Sequence, residues 1–144
     1  MAALARYTHV YVQDDDCIVD IHRLHSFYQG DGVCSFMRPE AIEEYEGLGV
    51  HLVGWGSFFN RRLVLEEDVF ERWDARYTPE DKLGRREADR VFSYFARPGH
   101  IVTAEGRDVV NLPWANDKDR MSREWNHHAS RAEAIKRCSL LGGI

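Results

Sequence analysis

β-Branched and aromatic residues crowd two short runs near the start of the chain, Tyr7 to Val12 and Cys17 to Leu24. Such residues suit the pleated, half-buried surface of a strand. The intervening Gln-Asp-Asp-Asp has the composition of a turn, which predicts an antiparallel hairpin. A loop of two residues or of four gives the same register, with Val12 opposite Cys17, Val10 opposite Val19 and Thr8 opposite Ile21. Those six would form the core face. The outward face would hold Tyr11 with Ile18, His9 with Asp20, and Tyr7 with His22.

Gly30-Asp-Gly32 is a turn signal before a short apolar run, Val33 to Met37, read as a strand. Pro39 and Glu40 suit the first turn of a helix that stops near Gly47. Val50 to Phe59 is β-prone, and Gly54 and Gly56 within it mark a bulge or a close backbone approach. Glu66, Glu67 and Asp68 then open a helix in which Val69, Phe70, Trp73 and Tyr77 recur at helical spacing. Thr78 caps a second helix, with Pro79 in its first turn, running to about Ala96 and burying Leu83, Val91, Phe92 and Phe95. Ile101 to Glu105 and Asp108 to Leu112 flank Gly106-Arg107 as a second hairpin, although this sets Glu105 against Asp108 as like charges. From about Asp117 to Leu141 a final helix places Met121, Trp125, Ala129, Ala132, Ile135 and Leu141 near one stripe.

This order predicts an α+β fold: a largely antiparallel sheet of two hairpins plus a central strand, with three to four helices packed on one face. The alternative is a mixed sheet in which Val50 to Phe59 pairs in parallel. A chain of 144 residues, 44% of them apolar, fits a single globular domain spanning residues 1–144.

Cys17, Cys34 and Cys138 are odd in number and lack a Cys-x-x-Cys pair, which argues against a disulfide framework or structural zinc. Reduced cysteines, no apolar signal-peptide core and no long apolar run lead to the expectation of a soluble, cytoplasmic protein with no membrane association.

Charge is distributed unevenly. Residues 1–81 hold 16 acids against 7 arginines, a net −9, whereas residues 82–144 carry +4. The acids concentrate at Glu40, Glu43, Glu44 and Glu46, then at Glu66, Glu67, Asp68, Glu71 and Asp74. On two helices they would form an acidic plate for a protein partner with a basic surface, or simply a solvated helix face. Trp55, if exposed beside Gly54 and Gly56, would serve as an interface anchor. The partner-binding set is therefore Glu43, Glu44, Glu66, Glu67, Asp68, Glu71 and Trp55. Arg120, Arg123, Arg131, Lys136 and Arg137 could meet phosphates, but flanking acids and the overall acidity argue against direct nucleic-acid binding.

The chemistry-bearing alternative lies on the first hairpin. Facing strand residues have Cβ atoms about 4.5–5.5 Å apart, so His9 and Asp20 would touch, with His22 diagonal to them and His25 just beyond. His9, Asp20 and His22 could hold a divalent metal, or a carboxylate-oriented histidine could act as a general base, with His9, Asp20, His22 and His25 as the catalytic set of a hydrolase or nuclease. A cross-strand ion pair is the structural explanation of the same residues. Asp14, Asp15 and Asp16 lack the spacing of a calcium loop and suit a charged hairpin tip. Cys34 has no base near it in sequence to make it a nucleophile. The leading expectation is a non-enzymatic binding protein needing no cofactor, an inhibitor or immunity type as found in bacteria and phages, that docks through acidic helix faces onto a basic macromolecular surface.

Overall fold

A computed structural model describes residues 6–46, 53–66, 71, 73, 76–77, 82–83, 87–96, 99–113 and 127–141. Within these, the architecture is mixed α+β. Strands β1 (His9–Val12), β2 (Cys17–Val19), β3 (Val33–Met37), β4 (Ser57–Asn60), β5 (Gly99–Thr103) and β6 (Val109–Asn111) alternate with helices α1 (Ile21–Phe27), α2 (Pro39–Glu46), α3 (Arg62–Glu66), α4 (Ala88–Phe95) and α5 (His127–Leu140).

The strands are close to where the sequence puts them, but neither hairpin pairs with itself. β1 lies antiparallel to β4, and β2 antiparallel to β6. A four-stranded sheet of order β1-β4-β3-β5 results, beside a two-stranded sheet β2-β6. The large sheet is mixed, because β3 and β5 run parallel while β4 is antiparallel to both its neighbours. The parallel pair is thus β3 with β5, and the strand within Val50 to Phe59 is not part of it. All five residues of β3 are buried, as a central strand covered on both faces requires.

Both faces of the large sheet are covered, which corrects the expectation of helices on one face only. On one side, Cys34, Phe36, Phe58 and Val102 pack against Leu24 of α1 and against Cys17, Val19 and Val109 of the small sheet. On the other, Val33 and Phe59 meet Leu63 and Val64 of α3, Phe92 of α4 and Ala96, while Met37 meets Ala41 of α2. Helix α5 lies against α4 through Ala134 and Cys138, which join Val91, Phe95 and Trp73. Ala129 and Ala132, placed on that stripe from sequence, are exposed instead.

The strand expected to continue to Leu24 stops at Val19. Asp20 turns the chain, its carboxylate accepting the Arg23 amide at 2.9 Å as the N-cap of α1. Local hydrogen bonding of this kind is what makes aspartate a helix starter rather than a strand residue. The Gly54 to Gly56 segment is a single 3₁₀ turn (Val53–Trp55) before β4. Gly54 has the close approach foreseen: its carbonyl accepts the Asp14 amide at 2.8 Å, and the Asp14 carboxylate occupies the space a side chain would need. Gly56 has φ of +92°, and a Cβ there would stand 2.7 Å from Val19 Cγ1, so only glycine fits. Glu66 already lies within α3, which starts at Arg62, so it does not open a helix. Glu67 and Asp68 lie outside the described residues, as do the Thr78-Pro79 start signal and residues 117–126 of the expected final helix. No helix among the described residues is long and apolar enough to cross a membrane.

Candidate functional site

The histidine-aspartate cluster predicted for the first hairpin loses its basis, because its strands do not pair. His9 stands opposite Asn60 of β4, and its Nδ1 lies 3.1 Å from the Tyr28 hydroxyl. Asp20 is occupied at the start of α1, and His22 and His25 ride on that helix, not on a strand. His25 sets its ring edge-on to Phe58 at 5.2 Å. Among the described residues, no group of three or more His, Cys, Asp or Glu side chains is arranged to hold a metal ion.

What the sheet does bring together is a single rung. Tyr11 faces Phe58, Phe58 faces Cys34, and Cys34 faces His100, one residue from each strand on the face under α1. Tyr28, just past the end of α1, stacks on Phe58 with ring centroids 5.5 Å apart. The Tyr11 hydroxyl donates to the Gln13 side chain at 2.7 Å. Burial pushes the Cys34 thiol up to about 11. Burial also lifts the Tyr11 hydroxyl to about 12, with the Cys17 charge adding to it. Tyr28 likewise rises to about 12, through burial and then the charges of Asp31 and Cys34. Cys34 therefore stays protonated at neutral pH, the opposite of what a nucleophilic cysteine needs, even with His100 beside it.

An open cleft of about 280 Å³ sits at the His100 end of this rung, walled by Phe27, Gln29, Asp31, Cys34 and His100, with Gly32 and Gly99 completing it. Here the last residue of α1 meets the first residues of the two parallel strands. His100 was missed because the β3–β5 pairing that sets it beside Cys34 joins segments far apart in the chain, and Asp31 because it reads simply as part of the glycine turn. The alternation of His100, Val102 and Ala104 was the available signal, and it gives a face but no partner.

A second surface lies on the outside of the small sheet. Cys17 and Val19 point inward and are buried, so alternation turns Ile18 out. Ile18 and its cross-strand partner Val110 are 57% and 41% exposed, and Ile21 at the start of α1 is 41% exposed. Asp16 and Asp20 bracket Ile18 along the strand, and both continue the ladder, with the Asp16 carbonyl accepting from Leu112 and the Asp20 amide donating to Asp108. Negative potential around the neighbouring loop registers at Cys17, whose thiol is raised by burial first and then by the carboxylates of Asp16 and Asp14.

The expected acidic plate is only partly within the described residues. Glu43 and Glu44 are on α2, Glu66 ends α3, and Glu71 is an exposed helical residue. Trp55 is half-buried against two core clusters and covered by the Arg38 guanidinium, 4.9 Å above the ring. It is therefore not left fully exposed, the condition under which it would serve as an anchor. Arg38 is held there by the Val109 carbonyl at 3.2 Å and the Asn111 side chain at 3.3 Å.

Comparison with protein-family models, with curated proteins and with solved structures finds no match to this chain.

Proposed function

We propose that this is a non-enzymatic binding protein that docks onto a basic protein surface and blocks or modulates it. The observation that carries the reading is the outer face of the small sheet, where two cross-strand aliphatic residues, Ile18 and Val110, are left open to water. Asp16 and Asp20 flank them. Apolar side chains inside a polar rim are the anatomy of a non-obligate interface, with the apolar centre supplying affinity and the rim charges supplying encounter rate and choice of partner. A second copy of the chain would bring carboxylates against carboxylates, so the charge selects a partner rich in Arg or Lys around an apolar residue. The net −9 of residues 1–81 works in the same direction at longer range.

The acids that the sequence groups at Glu43, Glu44, Glu66, Glu67, Asp68 and Glu71 are the competing docking candidate of the same sign, and one experiment separates the two. A partner recovered by affinity purification is titrated at several salt concentrations against three forms of the protein. With Ile18→Lys and Val110→Lys combined, affinity should fall at least about tenfold, as truncation of a central contact does. With Glu66, Glu67 and Asp68 all changed to Lys, a fall together with a flatter salt dependence would move the interface to the helices. If both variants bind like the parent at every salt concentration, docking by either face is wrong.

A further inference from the structure

We propose that the cleft between the end of α1 and the first residues of β3 and β5 is a binding site for a guanidinium group. Its size comes first. At about 280 Å³ it is at the lower edge of ligand pockets, with ample room for a small planar group. Its walls come second. The rings of Phe27 and His100 lie within 24° of parallel with centroids 6.5 Å apart, so two flat π faces border the space. Its charge comes third. Asp31 is the carboxylate of the lining, and no Arg or Lys side chain belongs to that lining.

A carboxylate in the same cleft as two aromatic rings selects a cation, and flat walls select a flat one. A guanidinium stacks on aromatic faces and offers paired N–H donors to a carboxylate, whereas an ammonium is a compact, strongly hydrated point charge. The chain already shows these preferences. The Asp31 carboxylate is approached loosely by Arg62, at 3.9 Å with both side chains mostly exposed, and Phe27 lies 5.6 Å beneath the Arg23 guanidinium. Asp31 Oδ1 also accepts the Gly32 amide at 2.9 Å, which fixes the carboxylate at the cleft mouth. Cys34 and Gln29 add a neutral thiol and an amide, neither of which opposes a cation.

The site is separate from the docking face, and its test needs no partner. Amide resonances of the full chain are followed by NMR while three probes are added: acetyl-arginine-methylamide, its lysine counterpart, and its uncharged citrulline counterpart. The arginine probe should give saturable shifts at Gly32, Cys34, Gly99 and His100 with Kd on the order of 1 mM, the strength of a single side-chain contact. The lysine probe should bind at least about fivefold more weakly, and the citrulline probe should give no saturable shift at those amides, because stacking and charge are both required. Asp31→Asn and Phe27→Leu should each remove the arginine response while the rest of the spectrum stays in place. Arg62→Ala, which frees Asp31 of its neighbour, should strengthen binding. Agmatine binding more tightly than a Gly-Gly-Arg-Gly-Gly peptide would name a free guanidine as the source, and the reverse order would name an arginine side chain. Equal response to lysine and arginine, persistence in Asp31→Asn, or no saturable shift would overturn the proposal.

Discussion

Arg23 links the small sheet, α1 and the turn before β6. Its amide completes the cap made by Asp20, and its guanidinium bonds the buried Asp108 carboxylate and lies 3.8 Å from Glu105. The same group rests over the rings of Phe27 and Phe36, each 5.6 Å away. Asp108 also accepts the Glu105 amide at 2.7 Å. Glu105 and Asp108 would repel each other in an isolated hairpin, and here one cation from a distant helix serves both. Removing it leaves Asp108 buried with a single amide donor. Arg23→Ala should therefore cost about 2 kcal/mol in urea unfolding, less than the 3–5 of a fully buried pair because the arginine is partly exposed. Asp108→Asn in that background should recover part of the loss. The two acids and the turn at Gly106 were legible in sequence; the cation was not, since nothing local links residue 23 to residue 108.

At the scale of elements, what could be read was decided by how local each determinant is. β3 was legible to the residue, because a short, mostly apolar run opening on Val33 follows a glycine turn. Pro39 marked the start of α2 for an equally local reason. Residues 17–24 were misread because Val19, Ile21 and the aromatic neighbours outweighed Asp20 in a propensity reading. Yet Leu24 and Tyr28, four apart and both turned to the core, already follow helical spacing. Correcting the misreading also removes the strand geometry on which the candidate metal site was drawn, since His22 was placed by strand alternation and His25 just beyond it. The cap is the switch between the two structures. Asp20→Ala should destabilise the fold by about 1 kcal/mol, and Asp20→Asn or Asp20→Ser should restore most of it, as thermal unfolding can show. A residue serving only as half of a His-Asp dyad would not be rescued by serine.

The whole molecule has a large sheet closed on both faces, and the partly buried Tyr11 and Tyr28 hydroxyls and the buried Cys34 thiol make its stability sensitive to alkaline pH. Cys34 rises from 9.0 to about 11 on folding, and Tyr11 and Tyr28 from 10.0 to about 12. Each is an acid held neutral by burial, so between its unfolded and folded values the unfolded chain has lost a proton the folded chain retains. Stability from these groups is fully present below the unfolded value and is lost as pH climbs through the folded one. The melting temperature should be insensitive to these three groups up to about pH 9 and fall from there to about pH 12. Cys34→Ala should shrink the earliest part of that fall, to which the raised Cys17 thiol also contributes, and leave the part due to Tyr11 and Tyr28 in place.

The order β1-β4-β3-β5 also dictates a schedule. β3 leaves the ribosome well before either of its neighbours, and its second edge is sealed only when residues 99–103 emerge. Until then a wholly apolar-lined central strand waits with open backbone groups, attractive to any other nascent chain within reach. Synthesis of this protein therefore passes through an interval in which the eventual middle of the sheet is open to pairing with other chains.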